Sequence, residues 1–361
     1  MRVRLVARPE PSRLAKWGSP LVATAAVLAI GFALFSAMGK DPWHALYVFF
    51  VEPVDTLYDA GELLLKASPI MLCAIGLAVG YRANVWNIGA EGQLVMGAIF
   101  GGGVALAFHG VDSPLVLPAM LVAGVAGGML WAAIPALLRT RFNANEILVS
   151  LMLVYVATLV LSLLVHDAWR DPEGFNFPQS KMFTESALLP ILVAETRLNV
   201  GILLAVAAVA AGWLFLRRSL VGFQMRVAGL APAAANYAGI SSSRTMWLGM
   251  LIGGACAGAA GVGEVAGPVG QLLPVVSPGY GFAAIIVAFV GRLHPVGILF
   301  ASLLMSLLYL GGEAAQMKLA LPSSVTGLFQ GTLLLFLLAA DVFIHYRLVV
   351  VRTPAPAPKA A

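Results

Sequence analysis

Charged side chains are scarce in this sequence: 11% of its 361 residues, against 60% hydrophobic. An ordinary soluble domain is roughly half apolar and about a quarter charged. A chain of this length could fold as two soluble domains. No soluble core needs apolar runs this long, however, and they recur along nearly the whole chain, so the pattern describes one membrane domain. Cysteine is nearly absent too. Cys73 and Cys256 both fall inside apolar runs and read as buried free thiols, not as a disulfide framework. The five His and two Cys show no metal-ligand spacing. His109, His166 and His345 fall at helix ends, and no metal or other cofactor is expected. The phosphate loop G-x-x-x-x-G-K-S/T is missing, which excludes ATP hydrolysis by the chain itself. Intramembrane proteolysis lacks its nucleophile–base pair or metal motif. The net charge of +5 does not point to nucleic acid. The basic residues sit in short loops between apolar runs, which is the topology signal of a membrane protein.

Crossing about 30 Å of hydrocarbon at 1.5 Å per residue takes roughly 20 mostly apolar residues. Ten segments are candidates: 20–39, 63–80, 88–108, 114–138, 145–165, 199–216, 245–263, 280–291, 295–313 and 324–345. The eighth is too short to span alone. It is half of a broken helix or a helix lengthened by the loop before it. The expected fold class is all-α, a polytopic transmembrane bundle of about ten helices. A basic segment 1–19 precedes the membrane domain of 20–345, and a tail of 346–361 follows, ending in the Pro-rich and disorder-prone PAPAPKAA. Arg2, Arg4, Arg8, Arg13 and Lys16 give the N-terminus the look of a signal peptide. The run Leu21–Met38 is long for a signal core and has no convincing A-x-A site, so it reads as an uncleaved first helix.

Orientation follows from counting. With the N-terminus inside, 16 of the 22 Lys and Arg fall in cytoplasmic segments. Lys40, Arg170, Lys181, Arg197 and Lys318 fall outside, and Lys66 lies within a helix. Basic residues resist translocation, so both termini are expected in the cytoplasm. Residues 166–198, with Trp169, Phe175, Phe177 and Pro178, form an outside loop, and residues 217–244 form an inside loop rich in Ala and Arg.

Small residues recur every fourth position. Gly249, Gly253, Ala257 and Gly261 make one stripe, Gly254 and Gly258 a second, and Gly124 and Gly128 a third. Such rows let helix backbones approach closely in lipid. Polar groups within apolar runs are costly and normally face a cavity or a partner. The segment from Tyr81 to Gln93 carries Asn84, Trp86, Asn87, Glu91 and Gln93, with Gly89 and Gly92 permitting an irregular backbone. It reads as a pore-lining broken segment or as a cytoplasmic turn with Asn caps. Glu264, Gln271, Glu313 and Gln316 lie near outer ends, where interfacial solvation accounts for them equally well. In the inside loop, Pro232 suits a first helical turn, the alanines 233–235 favour helix, and Gly239 suits the position just past a helix end. A short cytoplasmic helix near 226–240 is expected, either as a plain connector or as a plug for a partner's groove.

At these two segments the sequence resembles the permease subunits of ABC importers of the ribose/branched-chain amino acid class, especially those of nucleoside and simple-sugar uptake systems. The supporting strings are Trp86-Asn87-Ile88-Gly89-Ala90-Glu91-Gly92-Gln93, Asn145-Glu146-Ile147, Asn176-Phe177-Pro178-Gln179-Ser180, Tyr237-Ala238-Gly239-Ile240, and Gly279-Tyr280-Gly281-Phe282 followed by Gly291-Arg292-Leu293-His294-Pro295. Each is weak alone; in order, over residues 86–295, they are specific. Val154 departs from the Asn often found there, and Leu230 from a polar residue. The resemblance implies a type II ABC importer-like fold in a bacterial inner membrane. It also implies a second, related permease subunit, an ATP-binding cassette protein below, an extracytoplasmic solute-binding protein above, and a small polar solute, with no covalent chemistry in this chain. Asn84, Trp86, Asn87, Glu91 and Gln93 would then line the pathway. Arg226, Gly229, Pro232, Ala234, Ala235, Tyr237 and Gly239 would couple to the ATPase. Branched-chain amino acids or monosaccharides are the alternative cargo. An ion-coupled secondary transporter is the alternative of another class, but it would call for a second copy of the broken segment.

Overall fold

The computed structural model describes residues 2–7 and 13–351; the PAPAPKAA end of the tail lies outside the described residues. Helices occupy all ten expected segments. The chain divides into two compact units, one from Pro53 to Leu310 and one joining the residues up to Glu52 to those from Gly311 onward.

The larger unit holds α3 (Leu57–Arg82), α4 (Ala90–Ala107), α5 (Val116–Phe142), α6 (Glu146–His166), α7 (Gly201–Arg218), α8 (Leu220–Leu230), α9 (Pro232–Tyr237), α10 (Ser242–Glu264), α11 (Tyr280–Val290) and the first part of α12 (Pro295–Leu319). The smaller unit holds α1 (Arg13–Ala37), α2 (Pro42–Phe50), the end of α12 and α13 (Ser324–His345). Among the described residues, α3, α4, α5, α6, α7, α12 and the stretch Ser242–Val269 are long and apolar enough to cross a membrane. α1 and α13, at 25 and 22 residues, have the length. α11 has 11 residues, about 16 Å of rise, or half a bilayer. The ten residues before it are not helical, so the eighth segment is a half-span reached by irregular chain.

The small-residue stripes decide the packing of the larger unit. Gly254 and Gly258 of α10 lie against Gly128 and Gly124 of α5 so closely that a Cβ on Gly258 would stand 2.2 Å from the Gly124 carbonyl oxygen. The other stripe splits between two neighbours. Gly249 and Gly253 meet Gly80 and Gly76 of α3, while a Cβ on Gly261 would stand 2.0 Å from the Leu94 carbonyl oxygen of α4. α10 is thereby enclosed by α3, α4 and α5. Lipid gives apolar helices no hydrophobic reason to associate, so close backbone contact supplies the attraction. Cys73 and Cys256 are free thiols at the α3–α10 contact, where Cys256 packs on Gly76.

In the smaller unit, Asp41 caps α2 through the Trp43 N–H at 3.0 Å, with Pro42 in the first turn. Phe35, Phe49 and Phe329 form its buried aromatic core, with Phe49 and Phe329 4.5 Å apart between ring centroids. Lys318 pairs with Glu52. An all-α fold does not foresee one feature: Arg2–Ala7 (β1) pairs antiparallel with Tyr346–Val351 (β2), from Arg2 opposite Val351 to Ala7 opposite Tyr346. Both strands are rich in β-branched residues, and their pairing joins the two ends of the chain, which no local pattern announces.

Candidate functional site

Two irregular stretches meet in the larger unit. α3 ends in a turn in which Asn84 takes φ +57° and the Val85 N–H donates to the Gly80 carbonyl at 3.0 Å. This is the left-handed helix stop that Asn tolerates better than other non-glycine residues. The chain then runs without helical bonds to Ala90. The 270–279 stretch precedes α11, and the Ser277 hydroxyl accepts from the Tyr280 N–H at 2.9 Å. Glu91, in the first turn of α4, accepts from the Gly281 N–H at 2.7 Å and also receives Ser277 and Gly279. The starts of the two helices thus abut, and a carboxylate sits on the positive end of α11. A Cβ on Gly281 would lie 2.3 Å from the Glu91 nitrogen.

The polar residues of the 84–93 segment divide into two groups. Asn87 and Gln93 are buried at 2% and 1% exposure and exchange two hydrogen bonds, Asn87 Nδ2 to Gln93 Oε1 at 2.9 Å and Gln93 Nε2 to Asn87 Oδ1 at 3.1 Å. Asn87 Oδ1 also accepts from the Gly89 N–H at 3.0 Å. These amides and Glu91 are satisfied within the chain. Asn84 is exposed and Trp86 half-buried. The Trp86 indole donates to Asn84 Oδ1 at 2.9 Å and its ring stacks on Phe289, with Tyr81 on the same Phe. Gly89 and Gly92 do not serve a special backbone conformation. They let α6 approach: added Cβ atoms would stand 2.8 Å from the Ser150 carbonyl oxygen and 2.9 Å from the Val154 Cα. Val154, the residue that departs from the related pattern, is buried in that contact.

The segment expected to couple also divides. α8 and α9 form a helical corner. α9 ends with the Ile240 N–H on the Ala235 carbonyl at 2.9 Å and Gly239 at φ +78°, the stop for which glycine is favoured. Pro232, Ala234 and Gly239 are exposed, Tyr237 is 96% exposed and Leu230 87%. Ala235 is buried at 1%, so its side chain packs within the chain itself. Gly229 lies under the end of α3, where a Cβ would stand 2.1 Å from the Arg82 carbonyl oxygen; it is a packing residue. Arg226 is half-buried with Nε lacking a partner, and it and Arg217 act as like charges on Arg82.

A third group was not assembled by sequence reasoning. Glu62 in α3 receives Arg197 through two parallel bonds, Nε to Oε1 at 2.8 Å and Nη2 to Oε2 at 2.6 Å. The Glu62 bond holds the Arg197 guanidinium even more firmly protonated than usual. Glu264, for which interfacial solvation is one of two readings from the sequence, is 8% exposed, with Lys66 and Arg197 as the positive charges acting on it. These four residues and Tyr280 line a cavity of about 200 Å³. The signal available beforehand was Lys66 inside an apolar run, four residues after Glu62. The sequence separation of 135 between Glu62 and Arg197 hid the rest. The outer loop is tied nearby: the Ser180 N–H donates to the Leu272 carbonyl at 2.9 Å, and the Leu189 N–H to the Ala266 carbonyl at 2.7 Å. Among the described residues no His, Cys, Asp and Glu group could hold a metal ion.

Comparison with known proteins identifies the class. Residues 60–338 match the family described as "Branched-chain amino acid transport system / permease component". The chain belongs to this family of multi-pass membrane permeases, which are transport components and not enzymes. It is 35% identical over 352 residues to a glucose ABC transporter permease protein of Haloferax volcanii, covering 94% of this chain and 91% of that one. It is 30% identical over 323 residues to a guanosine ABC transporter permease protein of Bacillus subtilis, covering 88% and 91%. It is 29% identical over 303 residues to a nucleoside ABC transporter permease protein of Lactococcus lactis, covering 81% and 82%.

Proposed function

We propose that this chain is one half of the membrane pathway of an ATP-driven importer in the bacterial cytoplasmic membrane, carrying a nucleoside or simple sugar delivered by an extracytoplasmic solute-binding protein. The observation that carries the reading is the family match across 60–338, together with relatives whose names assign them glucose, guanosine and nucleosides. The chain has no phosphate loop, so the energy of ATP reaches it through contact with a partner ATPase. The exposed face of α9, with Ala234 and Tyr237, is the contact we assign, and a related second permease completes the pore. Both termini lie in the cytoplasm, a reading supported by the basic-residue count and by the pairing of β1 with β2, which keeps the two ends together. Asn84 and Trp86 are the accessible pathway residues of the broken segment. Asn87, Glu91 and Gln93 shape the same stretch from behind.

The test is reconstitution with a partner ATPase, a second permease and a solute-binding protein. Uptake of the solute that the binding protein retains should stop when the ATPase is omitted or its catalytic carboxylate replaced, and should persist with an ionophore. Uptake that survives loss of the ATPase and collapses with the ionophore would transfer the chain to ion-coupled transport.

A further inference from the structure

We propose that the cavity between Glu62, Lys66, Arg197, Glu264 and Tyr280 binds the hydroxyl-bearing ring of an uncharged polar solute, one sugar ring at a time. The proposal rests on the importer reading and adds the place and chemistry of a binding site. In a chain of which 11% is charged, two carboxylates, one ammonium and one guanidinium from three separate stretches converge on one space of about 200 Å³. Charges within a membrane protein are costly and mark pathways or partners. Glu62 and Arg197 hold each other, which explains two of the four. Lys66 and Glu264 lie outside that pair, with the Lys66 charge acting on Glu264.

Three features select the ligand. Two acidic and two basic side chains line the cavity, so neither sign of charge dominates the lining as it would in a site built for an ion. Ammonium, guanidinium and phenol groups donate, whereas the carboxylates only accept. Hydroxyl groups do both, so a ring bearing several hydroxyls can use the polar walls, while its C–H faces meet Leu65, Pro268 and Val269. The volume falls below the roughly 300 Å³ at which pockets begin to enclose drug-sized ligands, which suits one ring. The setting favours a working site too. Glu264 is the last residue of α10 before a π-helical turn at Val265–Val269, and such turns are frequent at functional sites. Tyr280 is the first residue of α11, whose start is fastened to Glu91. A ligand on Tyr280 therefore touches the half-span directly.

The experiment uses the reconstituted complex with Glu264→Gln and Lys66→Met, both of which keep the Glu62–Arg197 pair. The probe is radiolabelled glucose or adenosine, whichever the wild type accumulates in an ATP-dependent manner. Loss of one buried charged hydrogen bond should lower solute moved per ATP hydrolysed by about tenfold, with ATP hydrolysis and subunit assembly held within about twofold. A second measurement is independent of those variants. In a cysteine-free background, Lys66→Cys should react with a small cationic thiol reagent, and the probe solute should slow that reaction. Unchanged coupling in both variants, or labelling that solute does not slow, overturns the site. Wild-type uptake that does not depend on ATP strikes the importer reading itself, and is a separate result.

Discussion

Asn87 and Gln93 show how a polar residue in an apolar run can be spent. Each amide donates to the other and accepts from it. Asn87→Leu would leave Gln93 with a buried acceptor and donor unpaired, and strand the Gly89 N–H besides. Unsatisfied buried groups cost about 1–3 kcal/mol each, so the single variant should lower thermal stability in detergent. Asn87→Leu with Gln93→Leu together should recover a large part of that loss, because the orphaned groups are removed with their partners. A double-mutant cycle by thermal denaturation checks it; additive losses would mean the amides are not coupled. At α9, adjacent alanines separate the proposed partner contact from self-packing. Ala234→Trp, on the exposed side, should leave the purified chain as stable as wild type and abolish ATPase-driven uptake. Ala235→Trp should destabilise the chain itself, since that side chain has 1% exposure and no room. Thermal stability and uptake measured on both variants distinguish the two outcomes. Equal stability loss in both would remove α9 as a docking face.

Single elements are held together here by what they lack. α10 contributes glycine where α5, α3 and α4 come closest, and toward α5 and α4 the atoms it meets are backbone carbonyls, which cannot rotate away. Gly258→Leu should therefore cost more than the roughly 1–3 kcal/mol of ordinary over-packing. The expected result is loss of monodisperse protein on size-exclusion chromatography. Gly263→Ala on the same helix, where a Cβ would meet nothing within 4 Å, should behave as wild type. Similar behaviour of both variants would show that the stripe does not set the helix spacing. α11 is the opposite case, an element too short to cross that is completed by irregular chain. Its start has four supports: the Ser277 hydroxyl, Gly279 at φ +97°, the Gly281 backbone contact and the Glu91 carboxylate.

At the scale of the whole molecule, the testable statement is topology. Single cysteines at 175 and at 237, in a cysteine-free background, occupy exposed positions in the two long loops. An impermeant thiol reagent applied to intact spheroplasts should label Phe175→Cys and spare Tyr237→Cys until the membrane is opened. The reverse pattern would invert the proposed orientation. The pairing of β1 and β2 adds a further expectation: tags on either terminus should become accessible together.

Helical character, ten apolar segments, the small-residue stripes and the glycine stop after α9 were all determined by the sequence. Each is a local property, carried by runs, four-residue spacing or one residue's backbone freedom. The broken segment at 84–93 was legible as broken for the same reason. What its side chains face was decided only in the tertiary structure. Asn87 and Gln93 turn to each other, and Glu91 caps a helix 190 residues away. Glu62, Lys66, Arg197 and Glu264 became one cavity because α3, α10 and the outer loop converge there. Which polar groups meet in a membrane protein depends on helix packing, and that packing is written in glycine contacts between segments far apart in the chain.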